Sequence, residues 1–198
     1  MHNGTGQLLD QPSRLAELDS LGILEKKSDE TYNRYTRLLA AHLETDVSLV
    51  SIVSPKRQSF LGACGLPEDL KKEGETPIEY SFCRHVVEQG KPFVVNNAEE
   101  DPIASKIPRI KAAPVMAYLG VPIHSPQGNI LGSFCAIQGS VRNWTDAELA
   151  FAQDLVKSLE AELKSIEGIS GNLQIISENN KLCFTTFAKY LLYLNEIS

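Results

Sequence analysis

The stretch YSFCRHVVEQGKPFVV, Tyr80 to Val95, sets a thiol and an imidazole two positions apart. Cys83 falls in the first turn of a helix that Ser81 caps, Phe82 to Gln89 propagates and Gly90 stops, before Pro92 opens an extended run. A thiol near the positive end of a helix, with Arg84 beside it, can be held as a thiolate, the form that meets oxidants or contacts a ligand. The competing reading is packing beside Phe82 and Val86, since free cysteines are among the most buried residue types. Cys83 and His85 cannot share a metal ion, because two positions on a helix point about 200° apart. His85 reads as a hydrogen-bonded cap or a pocket-edge residue, not a catalytic base.

Four further residues are candidates to face a ligand. Asn97 and Asp101 follow the short FVV strand, where side chains can reach a cleft; their competing role is turn formation, which Asx residues near Pro102 perform routinely. Tyr118 and Phe134 fall on two apolar strands, AYLGVPI and NILGSFCAI, and line either a pocket floor or a core. Arg57, in the PKRQ turn, reads as a solvated charge. Gly120 and Gly132 read as permitting close strand packing or a bulge.

These residues need elements to position them. Leu15, Leu18 and Leu21 recur at helical spacing from Pro12 until Gly22. Ser28 starts a second helix, with Asp29 and Glu30 behind it and an apolar stripe of Tyr32, Tyr35, Leu38, Leu39, His42 and Leu43. In DVSLVSIVS both alternating sets are largely apolar, which predicts a central strand covered on both faces. QSFLGACG is its partner, Leu66 to Glu79 reads as an exposed loop without period, and Asn96 to Met116, with three prolines, as brief helical turns lidding a cleft. SPQG turns AYLGVPI into NILGSFCAI as a hairpin. Thr145 then caps a long helix to Glu167, in which Leu149, Ala152, Val156, Leu159, Leu163 and Ile166 make a heptad seam. That seam packs either on the domain's own sheet or on a second helix, and the second alternative predicts a homodimer.

Composition narrows the classes of function. The chain has 198 residues, is 42% hydrophobic and carries a net charge of −6. An acidic chain whose nearest basic cluster is Lys106, Arg109 and Lys111, broken by Pro108, argues against nucleic acid or an anionic membrane as partner. The N-terminus has neither a basic leader nor an apolar run, and nothing approaches the ~20 apolar residues of a membrane span, so a cytoplasmic protein is expected. Cys64, Cys83, Cys135 and Cys183 lack paired spacing and are expected as free thiols. Residues 1–11 are expected as a flexible N-terminus, 12–167 as one domain with flanking helices, and 168–198 as a C-terminal helical extension.

The order of elements, together with RLAELDSLGIL at Arg14, VSLVSIVSPKRQSFLGACGLP at Val47, SFCRHVV at Ser81, YLGVPI at Tyr118 and GNILGSFCAI at Gly128, resembles the GAF domain of bacterial signalling proteins. The resemblance implies an α+β fold: an antiparallel sheet with helices on one face, loops and short helices over a ligand cleft on the other, and long terminal helices. It implies a noncatalytic sensory module that binds a small ligand, with Cys83, His85, Asn97, Asp101, Tyr118 and Phe134 as candidate contacts. Output would pass through the terminal helices to a partner such as a histidine kinase of a two-component system or a diguanylate cyclase; no such output segment follows Glu167, so the chain either signals in trans or is a fragment. The cofactor stays open, since GAF pockets accept nucleotides, haem, tetrapyrroles, oxoacids and amino acids. A covalent bilin is not expected: Ile103 to Met116, the segment that would supply its cysteine, has none. The paired-thiol loop of free methionine sulfoxide reductases also has no counterpart. Two alternatives remain beside the sensor: a thiol-based redox sensor or enzyme of the same fold using Cys83, and a structural dimerisation module with no ligand.

Overall fold

The computed structural model describes residues 8–25, 28–108, 110 and 114–164. The chain divides into two compact units, Met1–Ala161 and Glu162–Ser198, and the first carries the fold below. The tail expected as a helical extension from 168, and Ile166 of the seam, lie outside the described residues.

Helix α1 (Pro12–Leu21) begins with proline, whose missing N–H costs nothing in the first turn, and ends at Gly22 in the left-handed conformation. Helix α2 (Glu30–Leu43) is capped by Asp29, whose carboxylate accepts the Thr31 N–H at 2.8 Å, one residue later than the expected Ser28. Strand β1 (Val47–Val53) is buried along its whole length, as its doubly apolar pattern requires. Strand β2 (Arg57–Cys64) pairs with it, with a bulge at Val50/Ser51.

The segment read as a structureless loop contains helix α3 (Glu68–Glu73) and strand β3 (Glu75–Pro77). Neither leaves a periodic signal, because α3 buries no residue and β3 has only three. Arg57 pairs with Glu75 at 3.2 Å and also with Glu25, so it ties this edge strand down instead of standing free in solvent.

Helix α4 (Cys83–Gln89) leads into β4 (Phe93–Val95), and β5 (Ala117–His124) and β6 (Ile130–Gln138) form the expected hairpin. The six strands lie in the order β3-β2-β1-β6-β5-β4, every neighbouring pair antiparallel. One face packs α4 and the lid against Val47, Leu49, Val53, Phe60, Tyr118 and Cys135. Helix α2 packs on β1 and β2 from the other face; the backbone of Tyr32 lies against Gly62, where an added Cβ would come within 2.7 Å.

A further helix, α5 (146–164), starts at a capping box in which Thr145 Oγ1 accepts the Glu148 N–H at 3.2 Å and Glu148 Oε2 accepts the Thr145 N–H at 2.7 Å. His42 of α2 stacks on Phe151 of α5 at 3.7 Å, and Glu160 accepts from the backbone N–H of His124 at the end of β5 at 2.7 Å. Ala152, Val156 and Leu159 of the heptad seam are buried within the single chain. Of the two alternatives, packing inside the domain holds for these three residues, which offer no free surface to a second copy.

Arg14 was not foreseen as a buried residue. Its guanidinium is enclosed at one end of the sheet and donates to the carbonyls of Leu9, Val53, Ile130 and Leu131, joining the N-terminal segment to β1 and β6. Burial lowers its pKa to about 10, against the opposing charge of Asp10, so it stays cationic at neutral pH. Leu9, inside the stretch expected to be flexible, is thereby held in the core.

Because Leu159 is wholly buried, Leu159→Ala is expected to destabilise the isolated domain by about 2–5 kcal/mol, seen as a fall in urea midpoint that does not depend on protein concentration. A concentration-dependent midpoint would place Leu159 in an intersubunit contact instead.

Candidate functional site

Helix α4 has seven residues, too few to hold together without tertiary contacts. Its N-terminus is anchored by Ser81, an extended residue whose hydroxyl accepts the Arg84 N–H at 3.1 Å and donates to Gln58 Oε1 on β2. Gln58 Nε2 donates onward to Thr76 Oγ1 at 2.7 Å on β3. Gly90, at φ 65°, ends the helix as its sequence demands.

This anchoring drives Cys83 into the sheet, where it is 2% exposed. Tyr118 Oη donates to its sulfur at 3.3 Å and lies 3.0 Å from Ser133 Oγ, and the sulfur of Cys135 stands 3.8 Å away. Tyr118 reaches this point by lying along β5 across Gly120, where a Cβ would fall 2.2 Å from its hydroxyl oxygen. The Cys135 thiol first, then the hydroxyls of Tyr118, Ser51 and Ser133, bring the Cys83 pKa down to about 7 against the upward push of burial. Burial raises Cys135 and Tyr118 well above their ordinary values. The expected help from Arg84 does not arise: its guanidinium is engaged by Glu88 at 2.8 Å.

His85 sits at the rim, its ring 5.6 Å from Phe93 and its Nδ1 3.0 Å from Glu88. Burial lowers its pKa, with Glu88 and Asp101 pulling the other way and Arg84 adding to the fall, so at pH 7 it is mostly neutral. Asn97 and Asp101 form turns: Asn97 Oδ1 accepts the Glu99 N–H, and Asp101 Oδ1 accepts those of Ile103 and Ala104. Phe134 is a correction. It alternates with Cys135 on β6 and so faces α2 and α5, opposite Tyr118 and away from the cleft.

An open cavity of about 210 Å³ lies on the α4 face at the end of the sheet, between the loop after β2 and the last residues of the lid. Val47, Leu66, Pro67, Pro114, Val115 and Ile137 make it apolar, and Asp46 stands at its wall with Oδ2 accepting the Gly139 N–H at 2.8 Å. It has room for roughly seven waters and is below the ~300 Å³ usual for a drug-sized ligand. None of the six residues read from the sequence lines it. Its lining comes from two loop ends far apart in sequence, and only the prolines of the lid pointed towards it. Among the described residues no cluster of three or more His, Cys, Asp or Glu is placed to hold a metal ion, and no helix is long and apolar enough to cross a membrane.

A six-stranded antiparallel sheet, with helices behind it and a short capped helix and lid over a cleft in front, defines an α+β cleft domain. The sequence profile of the GAF domain matches residues 28–163, and the chain belongs to the GAF domain family. It is 28% identical over 159 residues to a cyclic di-GMP phosphodiesterase of Pseudomonas aeruginosa, a match that takes in 79% of this chain and 26% of that protein, so the chain spans about a quarter of that relative's length. The GAF domain of a phosphoenolpyruvate-protein phosphotransferase from Coxiella burnetii superposes with a TM-score of 0.60 at 17% identity, covering 80% of this chain and 96% of that one. Free methionine-R-sulfoxide reductase from Neisseria meningitidis, in complex with its substrate, superposes with a TM-score of 0.57 at 13% identity, covering 75% and 86%. At such identities the two structures share the fold with this chain and nothing further is carried over from them.

Cys83 is expected to resist iodoacetamide in the native protein, because its enclosure outweighs its lowered pKa. Mass mapping at neutral pH should find the half-buried Cys64 labelled before Cys83; labelling of Cys83 ahead of Cys64 would mean that α4 opens readily.

Proposed function

We propose that this chain is a noncatalytic sensory module that binds a small ligand on the α4 face and passes its state through the terminal helices to a signalling partner. The observation that carries this reading is the apolar cavity at the lid, which opens against Val47 of β1 and Ile137 of β6, residues paired with one another at the ends of the two central strands. Those two strands reach the helix layer with their opposite face. The size of the cavity favours a compact, largely apolar molecule, with Asp46 positioned to meet a hydrogen-bond donor or a positive charge. A noncatalytic role is supported by the surroundings of Cys83, which are hydroxyls and a second thiol and include no imidazole base, while His85 leaves the helix in another direction.

The partner class is a cyclic-dinucleotide enzyme or a histidine kinase. The similarity to a cyclic di-GMP phosphodiesterase supports the first. Helix α5 is the proposed output element, held to β5 by the double contact of Glu160 Oε1 with the His124 backbone N–H and with Nδ1 at 3.0 Å.

Two measurements test this reading. In a thermal-shift screen of small amines, amino acids and compact heterocycles, at least one compound should raise Tm, and Val115→Trp, which fills the cavity, should abolish the rise while leaving the free protein folded. A rise unaffected by that substitution would move the ligand elsewhere, and no rise with any compound would favour a module without a ligand. The α5 contact is pH-sensitive. The hydrogen bond to Glu160 raises the His124 pKa above 6.5, against a smaller downward effect of burial, so its stabilisation is complete below 6.5 and is lost as pH climbs through the raised value. Native stability should therefore fall more between pH 6 and 8 than that of His124→Gln; equal slopes in urea titrations would show that the pair contributes nothing.

A further inference from the structure

We propose that Cys83 and Cys135 form a redox modification site, a buried dithiol that a small peroxide oxidises to a disulfide joining α4 to β6. The two sulfurs come from elements 52 positions apart in the chain and stand 3.8 Å from one another inside the core. A disulfide requires about 2.05 Å, so about 1.8 Å must be closed, a distance that side-chain rotation and a small slide of a seven-residue helix can supply. The inference does not rest on the cleft's taking a ligand.

The neighbours assign each sulfur a role. Tyr118 Oη donates to Cys83 Sγ and is itself backed by Ser133, so negative charge on that sulfur is met by a hydroxyl already in place. Cys135 first, then the same hydroxyl donors, bring Cys83 to a pKa of about 7 and make it the sulfur that attacks the peroxide, while burial keeps Cys135 protonated until it resolves.

With hydrogen peroxide as oxidant, the Cys83 thiolate attacks one oxygen; the O–O bond breaks, an S–O bond forms, and the thiol proton leaves with the other oxygen as water. Cys135 Sγ then attacks the sulfenic sulfur. The S–S bond forms, the S–O bond breaks, and the departing hydroxide carries off the Cys135 proton as a second water. Two electrons pass from the sulfur pair to the peroxide. Peroxide is close to water in size and reaches a site that iodoacetamide does not, which separates slow alkylation from readiness to oxidise.

The reduced full chain, treated with hydrogen peroxide, denatured, alkylated and digested without reductant, tests the assignment. The expected result is a Cys83 peptide linked to a Cys135 peptide, the intact chain lighter by two hydrogens, and full recovery of both thiols with dithiothreitol. In Cys135→Ser, dimedone present as the peroxide-treated chain is denatured should trap Cys83 as a sulfenic acid. The proposal is overturned if both thiols stay fully alkylatable after peroxide, if they pass to sulfinic or sulfonic acids without linkage, or if either one pairs with Cys64 or Cys183 instead.

Discussion

The cleft face of this domain depends on one requirement: the polar side chains that its strands carry inward must find partners there. Gln58 meets it for three elements at once, with Oε1 accepting from Ser81 and facing Ser51 at 3.4 Å while Nε2 donates to Thr76. Leaving one such buried group unpaired costs about 1–3 kcal/mol, comparable to a sizeable part of a small domain's stability. A seven-residue helix has little stability of its own, so this chain of bonds is what gives α4 a fixed place on the sheet. The burial of Cys83 and its contact with Tyr118 follow from that placement.

A second constraint decides where space is left. Tyr118 lies flat over Gly120 and fills the middle of the cleft, its ring 5.4 Å from Phe82 and 5.9 Å from Phe93. Any side chain at position 120 would lift the tyrosine and break its bonds to Cys83 and Ser133. With the centre occupied by the protein's own aromatic rings, the open volume found among the described residues lies where the loop after β2 and the lid meet at the sheet's end. The fold thus holds two distinct environments on one face: a packed dithiol and hydroxyl cluster, and a small apolar cavity.

What was legible in the sequence follows the same physics. Ser81 and Gly90 were readable because caps act locally, through the bonds of one turn and one left-handed residue. The 3,4 spacing of Ala152, Val156 and Leu159 marked a buried stripe but not what covers it, and the cover is the domain itself. Phe134 was misplaced because β6 is apolar on both faces, so alternation gave no way to tell the cleft from the helix layer. Arg14 and Gln58 were missed for the opposite reason. Both are polar residues whose partners, backbone carbonyls in one case and hydroxyls in the other, come from segments far away in the chain. Asp46 and the loop ends around it leave no periodic trace at all.

Strand β5 links these environments to the helix layer. Its first half carries Tyr118 on the cleft floor, and its last residue, His124, is gripped by Glu160 of α5 through both backbone and ring. Helix α5 is also bound to α2, through the His42–Phe151 stack and through Arg142, which donates to the Leu43 carbonyl and pairs with Glu148. A shift of β5 along its length therefore has α4, through Tyr118 and Cys83, and α5, through His124 and Glu160, to act on. A ligand or a disulfide on the cleft face moves α5 only to the extent that it favours one setting of β5 over another. On the proposed reading, the coupling would run through the bonds of Tyr118 and His124, not through proximity between cleft and helix.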